Sequence, residues 1–132
     1  MADSVLPFLM FQGKKAQEAI DFYVGLIPNS SVEEVRHYGD SNPDFSDLIM
    51  FATVSIGGQR VLFSDSPIEH AFNFTPSTSL FVACESEEEI KTLAASLGEG
   101  GRVLMPLDSY GFSKQFTWVE DRFGVSWQLN VW

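Results

Sequence analysis

At 132 residues and 45% apolar content, the chain has the size of one compact domain with a sizeable core and no room for a second. Eighteen acidic against eight basic residues give a formal charge of -10, which makes nucleic acid and anionic membrane surfaces poor partners and leaves a neutral or cationic small molecule acceptable. The one cysteine, Cys84, excludes an internal disulfide, and no apolar run approaches the roughly 20 residues that span a bilayer. With no basic and apolar leader at its start, the expectation is a soluble cytoplasmic protein.

In chain order, Leu6–Phe11 reads as a short strand with Pro7 at its start, where a missing donor is tolerated. From Lys14 to Leu26, the recurrence of Ala16, Ala19, Ile20, Tyr23 and Val24, with Ile27 one turn on, predicts an amphipathic helix with one face on a sheet. Pro28 and Asn29 stop it. Ser31–His37 reads as a strand, and 38–46, rich in Gly, Asp, Ser, Asn and Pro, as an irregular polar loop. Two further strands, Asp47–Ile56 and Gln59–Phe63, meet at Gly57 and Gly58, the pair that a tight hairpin demands. Along the first of them, Leu48, Met50, Ala52, Val54 and Ile56 make one side wholly apolar. Ile49, Phe51, Thr53 and Ser55 make the other mixed, which fits a curved sheet around a partly polar cavity.

Ser64–Ser77 connects this unit to a second of the same order. Ser79–Cys84 is its first strand and Glu87–Leu97 its helix. Ser86 with Glu89 three residues on forms a capping-box signature, and Glu87, Glu88 and Glu89 suit the positive end of the helix dipole better than they suit a cation site. Gly98, Gly100 and Gly101 end the helix. Arg102–Met105 is the next strand, Met105–Gly111 a second irregular loop, and Ser113–Val119 and Val125–Val131 the last pair, joined across Asp121–Gly124. Both halves read strand, helix, strand, strand, strand. Neither can bury its sheet face alone, so the repeat predicts two modules, about 4–66 and 75–132, in one domain around a shared cleft.

Conventional catalytic motifs are missing. No phosphate-cradling glycine loop, GxSxG, CxxC or HExxH occurs, and the glycines at 98, 100 and 101 follow a helix instead of opening one. His37 and His70 have no histidine or cysteine at ligand spacing and read as strand-end and loop residues. Cys84, followed by an acidic residue, reads as a buried structural thiol and not as a nucleophile. The positive signal is aromatic: twelve Phe, three Tyr and three Trp make 14% of the chain. Phe8, Phe11, Phe51, Phe63, Phe81, Phe116, Trp118 and Trp127 fall on expected strands. Core packing accounts for most of them, but strands curling around a cavity would turn some rings inward beside polar groups such as Asp65, Ser79 and Gln128.

Three stretches carry a resemblance: FQGKKAQEAIDFY at Phe11–Tyr23, IGGQRVLFSD at Ile56–Asp65 and, most specifically, YGFSKQFTWVEDRFGVSWQL at Tyr110–Leu129. Over nearly its whole length the chain resembles the vicinal-oxygen-chelate (glyoxalase/bleomycin resistance/dioxygenase) superfamily, and within it the PhnB-like, demethylubiquinone-methyltransferase-like branch. The resemblance implies an α+β fold of two βαβββ modules, with a curved, mostly antiparallel half-barrel sheet, helices outside and a homodimer. Metalloenzymes of that superfamily take histidine and glutamate ligands at places that fall here near Phe8, Leu62–Ser64, Ser79 and Gln128. Only Gln128 there offers a serviceable oxygen, so no metal and no cofactor is expected. A conventional S-adenosylmethionine site would need a longer chain and a glycine-rich turn, so the methyltransferase name is not expected to describe the chemistry.

The leading expectation is a metal-free, PhnB-like protein that binds an apolar or aromatic small molecule in a cavity walled by Phe8, Phe51, Asp65, Ser79, Trp118 and Gln128. Catalytic residues are not assigned. One alternative is a metal-dependent lyase, isomerase or dioxygenase drawing ligands from Asp65, His70 or Gln128. Another is an antibiotic-sequestering protein holding a planar or cationic compound between rings without altering it.

Overall fold

The computed structural model of the protein describes residues 2–132. Its contacts divide into two compact units, Met1–Ala71 and Phe72–Trp132, with the division inside the connection expected from sequence. In the first unit the order is β1 (Phe8–Phe11), α1 (Ala16–Leu26), β2 (Ser31–His37), β3 (Ile49–Ile56) and β4 (Gln59–Asp65). In the second it is β5 (Ser79–Ala83), α2 (Glu87–Gly98), β6 (Arg102–Asp108), β7 (Gln115–Glu120) and β8 (Ser126–Val131). Each unit holds one mixed four-stranded open sheet, ordered β1-β4-β3-β2 in the first and β5-β8-β7-β6 in the second. The two orders are the same permutation. In each, the outer pairing of the first and last strands is parallel and the remaining ladders are antiparallel. The expected α+β class and βαβββ repeat are therefore present.

Helix α1 buries Ala16, Ala19, Ile20 and Tyr23, four of the positions that its spacing marked, and Ile27 follows them into the core. On the sheet, Leu9, Phe11, Ala52, Val54, Val61 and Phe63 share one face and are all buried. The Tyr23 ring lies 6.0 Å from that of Phe63, and Phe63 stacks on Phe11 at 5.7 Å. In the second unit Ile90, Leu93 and Leu97 of α2 are buried, as are Val119, Trp127 and Leu129 of the sheet. The N-terminus of α2 is capped as the sequence indicates: Ser86 Oγ accepts from the Glu89 N–H at 3.1 Å. The return bond differs by one residue, because Glu89 Oε1 accepts from the N–H of Glu85, at 2.8 Å, and not from that of Ser86.

The strand boundaries carry several corrections. Strand β1 begins at Phe8, not Leu6, although the Pro7 carbonyl already accepts from the Leu62 N–H at 2.9 Å. Strand β4 runs on to Asp65, two residues past the expected end. Strand β6 also runs on, through Pro106 to Asp108, over residues that read as loop. That strand is an edge and its pairing with β7 slips between Met105 and Asp108, so a residue without an N–H donor is accommodated there. The loop 38–46 contains two short 3-10 turns, Gly39–Ser41 and Pro43–Phe45.

In β3 the inward set is Ala52, Val54 and Ile56 as expected, but Ile49 replaces Met50 as the buried residue at its start. The cause is a bulge: Arg36 pairs with Phe51 and His37 with Ile49, so one extra residue of β3 resets the alternation.

Candidate functional site

Strand alternation decides which side chains the helices cover. In the first unit Phe63 and its same-face neighbours turn toward α1, and the opposite face presents Phe8 and Met10 of β1, Leu62 and Ser64 of β4 and Phe51 and Thr53 of β3. Phe8 and Phe51 are 47% and 45% exposed, and their rings meet edge to face with centroids 6.1 Å apart. Large apolar rings left half-open on a sheet face, when other rings nearby are fully buried, mark a surface suited to a ligand. Asp65 is elsewhere. Two residues beyond Phe63 on the same strand, it lies on the helix-covered side and is buried. Its Oδ1 accepts from the Ala16 N–H and its Oδ2 from the Ile49 N–H, each at 3.0 Å. It fastens the start of α1 and the start of β3 to the end of β4, beneath the face that carries Phe8 and Phe51.

In the second unit Val119 faces α2, 3.9 Å from the position a Cβ would take on Gly98. Trp118, Phe116, Gln128, Asn130, Ser126, Ser79 and Phe81 therefore share the opposite face. The register arranges them in rows: Ser79 beside Ser126, then Phe81, Gln128 and Trp118 across three strands, then Ala83, Asn130 and Phe116. Ser79, Trp118 and Gln128 come together through a residue the sequence reasoning did not single out. Trp118 Nε1 donates to Ser126 Oγ at 2.8 Å, Ser126 and Ser79 share a hydrogen bond at 2.6 Å, and Gln128 Nε2 donates to Ser79 Oγ at 3.3 Å. Both hydroxyls also lie 3.3 Å from the Pro76 carbonyl. The chain fixes the Trp118 ring and the Gln128 amide in place. Ser126 and Asn130 had a signal available: with Gln128 they form a polar stripe of period two among Trp127, Leu129 and Val131.

Below this face Asp121 holds the turn between β7 and β8, accepting from the N–H groups of Phe123 at 2.8 Å and Val125 at 3.0 Å and from Trp127 Nε1 at 2.9 Å. Cys84 is buried, and burial, followed by the charge of Glu89, pushes its thiol up to about 11. It is inert as a nucleophile at neutral pH. At the surface, Lys14 and Asp47 form an ion pair whose hydrogen bond raises the ammonium pKa and lowers the carboxyl pKa. His37 is exposed at the end of β2, while His70 lies in the connection with its ring Nε2 2.9 Å from Ser66 Oγ and its backbone N–H donating to Gln12 Oε1 at 2.7 Å.

The places where metalloenzymes of the resembled superfamily take their ligands hold poor donors in this chain. Phe8 has no lone pair, Ser64 and Ser79 are weak hydroxyl donors, and Gln128 brings one amide oxygen. Of the further candidates, Asp65 already has both oxygens engaged by backbone N–H groups. Among the described residues no group of three His, Cys, Asp or Glu side chains is placed to hold a metal ion. The donor set does not fit a catalytic divalent ion.

A family model described as 3-demethylubiquinone-9 3-methyltransferase matches residues 3–130. The chain belongs to this PhnB-like family. A PhnB protein from Bacillus cereus, provisionally named as the same methyltransferase, is 43% identical, with a TM-score of 0.91 over 98% of this chain and 100% of its own. Protein PA1353 from Pseudomonas aeruginosa is 29% identical, with a TM-score of 0.85 over 98% of each chain. Protein YjdN of Escherichia coli K12 is 27% identical over 95% of this chain and 92% of its own. At fold level the PhnB-like chain is also similar to a glyoxylase/bleomycin resistance protein/dioxygenase domain from Frankia, TM-score 0.66 at 13% identity. It is similar as well to the fosfomycin resistance protein FosX of Listeria monocytogenes, TM-score 0.63 at 11% identity. These likenesses show that the chain shares its fold with those two proteins.

Proposed function

We propose that this PhnB-like protein binds an apolar or aromatic small molecule on the sheet faces its helices leave open, without a catalytic metal. The observation that carries the reading is the second module's face, where Phe81 and Trp118 flank Gln128 of the hydrogen-bonded set Ser79, Ser126 and Gln128, and Phe116 stands in the next row. Rings supply contact area, and a few oriented polar groups supply direction, which is the composition of a small-molecule site. On the first module's face, Phe8 and Phe51 add a second aromatic surface, with Asp65 as its support from below. The formal charge of -10 favours a neutral or cationic compound over an anion.

The test is a thermal-shift screen of planar apolar and aromatic compounds on the wild-type protein and on Trp118→Leu. Stabilisation of the wild type that falls at least tenfold in apparent affinity in Trp118→Leu is the expected result. No stabilising compound would defeat the reading. Unchanged product analysis after long incubation separates sequestration from turnover, and near-stoichiometric divalent metal in purified protein would favour a lyase, isomerase or dioxygenase instead.

A further inference from the structure

Asn130 is fully buried, and neither its Oδ1 nor its Nδ2 has a hydrogen-bond partner in the protein. Its backbone is employed, since its carbonyl accepts from the Cys84 N–H at 2.7 Å, but the donors and acceptor of the side-chain amide are met by no group of the protein. Such a group is destabilising unless something else engages it. Its place on the sheet says what kind of thing. Asn130 stands directly between Phe116 on β7 and Ala83 on β5, one alternation along β8 from Gln128. On the same face Phe81 stacks on Trp132 with centroids 6.1 Å apart, so this ring pair brackets the Ala83–Asn130 pair in register. Phe81 and Trp132 are 50% and 69% exposed, so little packing holds them closed. Tyr110 and Phe112, 37% and 55% exposed, gather around Phe116, with centroid distances to it of 6.0 and 5.0 Å. Of the basic residues, Lys114 stands just before β7 with its backbone N–H donating to the Val131 carbonyl at 2.9 Å, and Arg102, at the far edge strand, is paired with Glu120 at 3.2 Å.

We propose that Asn130 is the polar anchor of this face. Its amide binds a neutral group that offers a hydrogen-bond acceptor and a donor side by side, as a carboxamide, lactam or ureide does, on a planar ring that displaces the Phe81–Trp132 pair. The primary amide matches such an edge with one donated and one accepted bond, whereas a carboxylate brings no donor for Asn130 Oδ1 and meets a chain of formal charge -10. The aromatic neighbours stack on the ring that carries the group. This rests on the reading of the face as a ligand site and narrows the ligand to a class.

The experiment uses the full chain and three matched probes: benzamide with donor and acceptor, acetophenone with the acceptor alone, and benzoate with the charge. Affinities are read by titration of ¹⁵N-labelled protein, following the Asn130 side-chain NH₂ signals, for the wild type and for Asn130→Leu. In the wild type, benzamide binds at least tenfold tighter than acetophenone or benzoate and shifts the Asn130 NH₂ signals, and in Asn130→Leu that preference is gone. Because the amide has no protein partner to lose, unliganded Asn130→Leu melts higher than the wild type, by a few degrees. A lower melting temperature for Asn130→Leu would show that the amide has a structural partner, such as an enclosed water, and would overturn the proposal. Equal binding of all three probes, unchanged in Asn130→Leu, would overturn the anchor while leaving the aromatic site in place. No binding of any probe, together with no hit in the wider aromatic screen, would remove the ligand site and the anchor with it. The NH₂ shift in the wild type stands on its own should the variant fold poorly: signals unmoved at saturating benzamide also overturn the anchor.

Discussion

Two buried side chains illustrate how single residues set the conditions for this site. Asp65 accepts hydrogen bonds from N–H groups on two different elements, so Asp65→Ala strands both donors in the interior. The expected loss is about 2–5 kcal/mol, measured by urea unfolding, with Asp65→Asn falling between because its remaining carbonyl oxygen can still accept. A loss below about 0.5 kcal/mol would show that those amides have other partners. Cys84 gives a pH prediction. Its thiol is pushed up to about 11 in the folded chain, from an ordinary value of 9.0. The unfolded chain therefore releases its proton first as pH rises. The associated stability is complete below pH 9 and is lost between 9 and about 11. Reaction of native protein with a thiol reagent at pH 8 is correspondingly slow and becomes fast in denaturant. Rapid labelling of the native state would contradict the burial. The role of Cys84 was legible from its sequence neighbourhood, although the glutamate that acts on it is Glu89, one helical turn away. The place of Asp65 was not, because ending β4 at Phe63 left Asp65 as a loop residue free to point anywhere. Two more residues of strand put it on the helix side with Phe63.

At the level of elements, local chemistry that has only one structural solution was the most legible. Gly57 and Gly58, with φ of 58° and 90°, form the hairpin that their sequence demands, and Ser86 caps α2. Pro106 was less legible because proline reads as a break, whereas an edge strand with a slipped register tolerates it. The run Gly98–Gly101 hides a different constraint. A Cβ on Gly101 would sit 1.9 Å from the Glu120 carbonyl oxygen and 2.8 Å from the carbonyl carbon of Asp121, so the backbones approach too closely for any side chain. Gly101→Ala is expected to push β6 from β7, on which Trp118 lies, and to cost more than about 2 kcal/mol in unfolding free energy. Near-wild-type stability together with an unchanged Trp118 indole signal would refute that close approach. The sequence marked this glycine as a helix stop, which is true of its neighbours and misses its contact with the partner strand.

For the molecule as a whole, the duplicated βαβββ order was readable because each half repeats the same sequence of periodicities. The matching strand permutations β1-β4-β3-β2 and β5-β8-β7-β6 follow from it. The candidate site was readable only in part: Ser79, Trp118 and Gln128 were picked out, while Ser126 and Asn130, whose importance depends on register, were not. With strands at the edge of each open sheet, a homodimer is the assembly we propose, and light scattering coupled to gel filtration is expected to give twice the 14.7 kDa chain mass. A monomeric mass at all concentrations tested would remove it. No helix among the described residues is long and apolar enough to cross a membrane.

The central claim is that the open aromatic face binds its ligand without a metal. It is tested most directly by calorimetric titration of chelator-stripped protein with the best compound from the thermal-shift screen, repeated with added manganese, iron, nickel or zinc. The account predicts saturable binding with the same affinity in every titration and its loss in Trp118→Leu. Binding that appears only when a divalent metal is restored would contradict it.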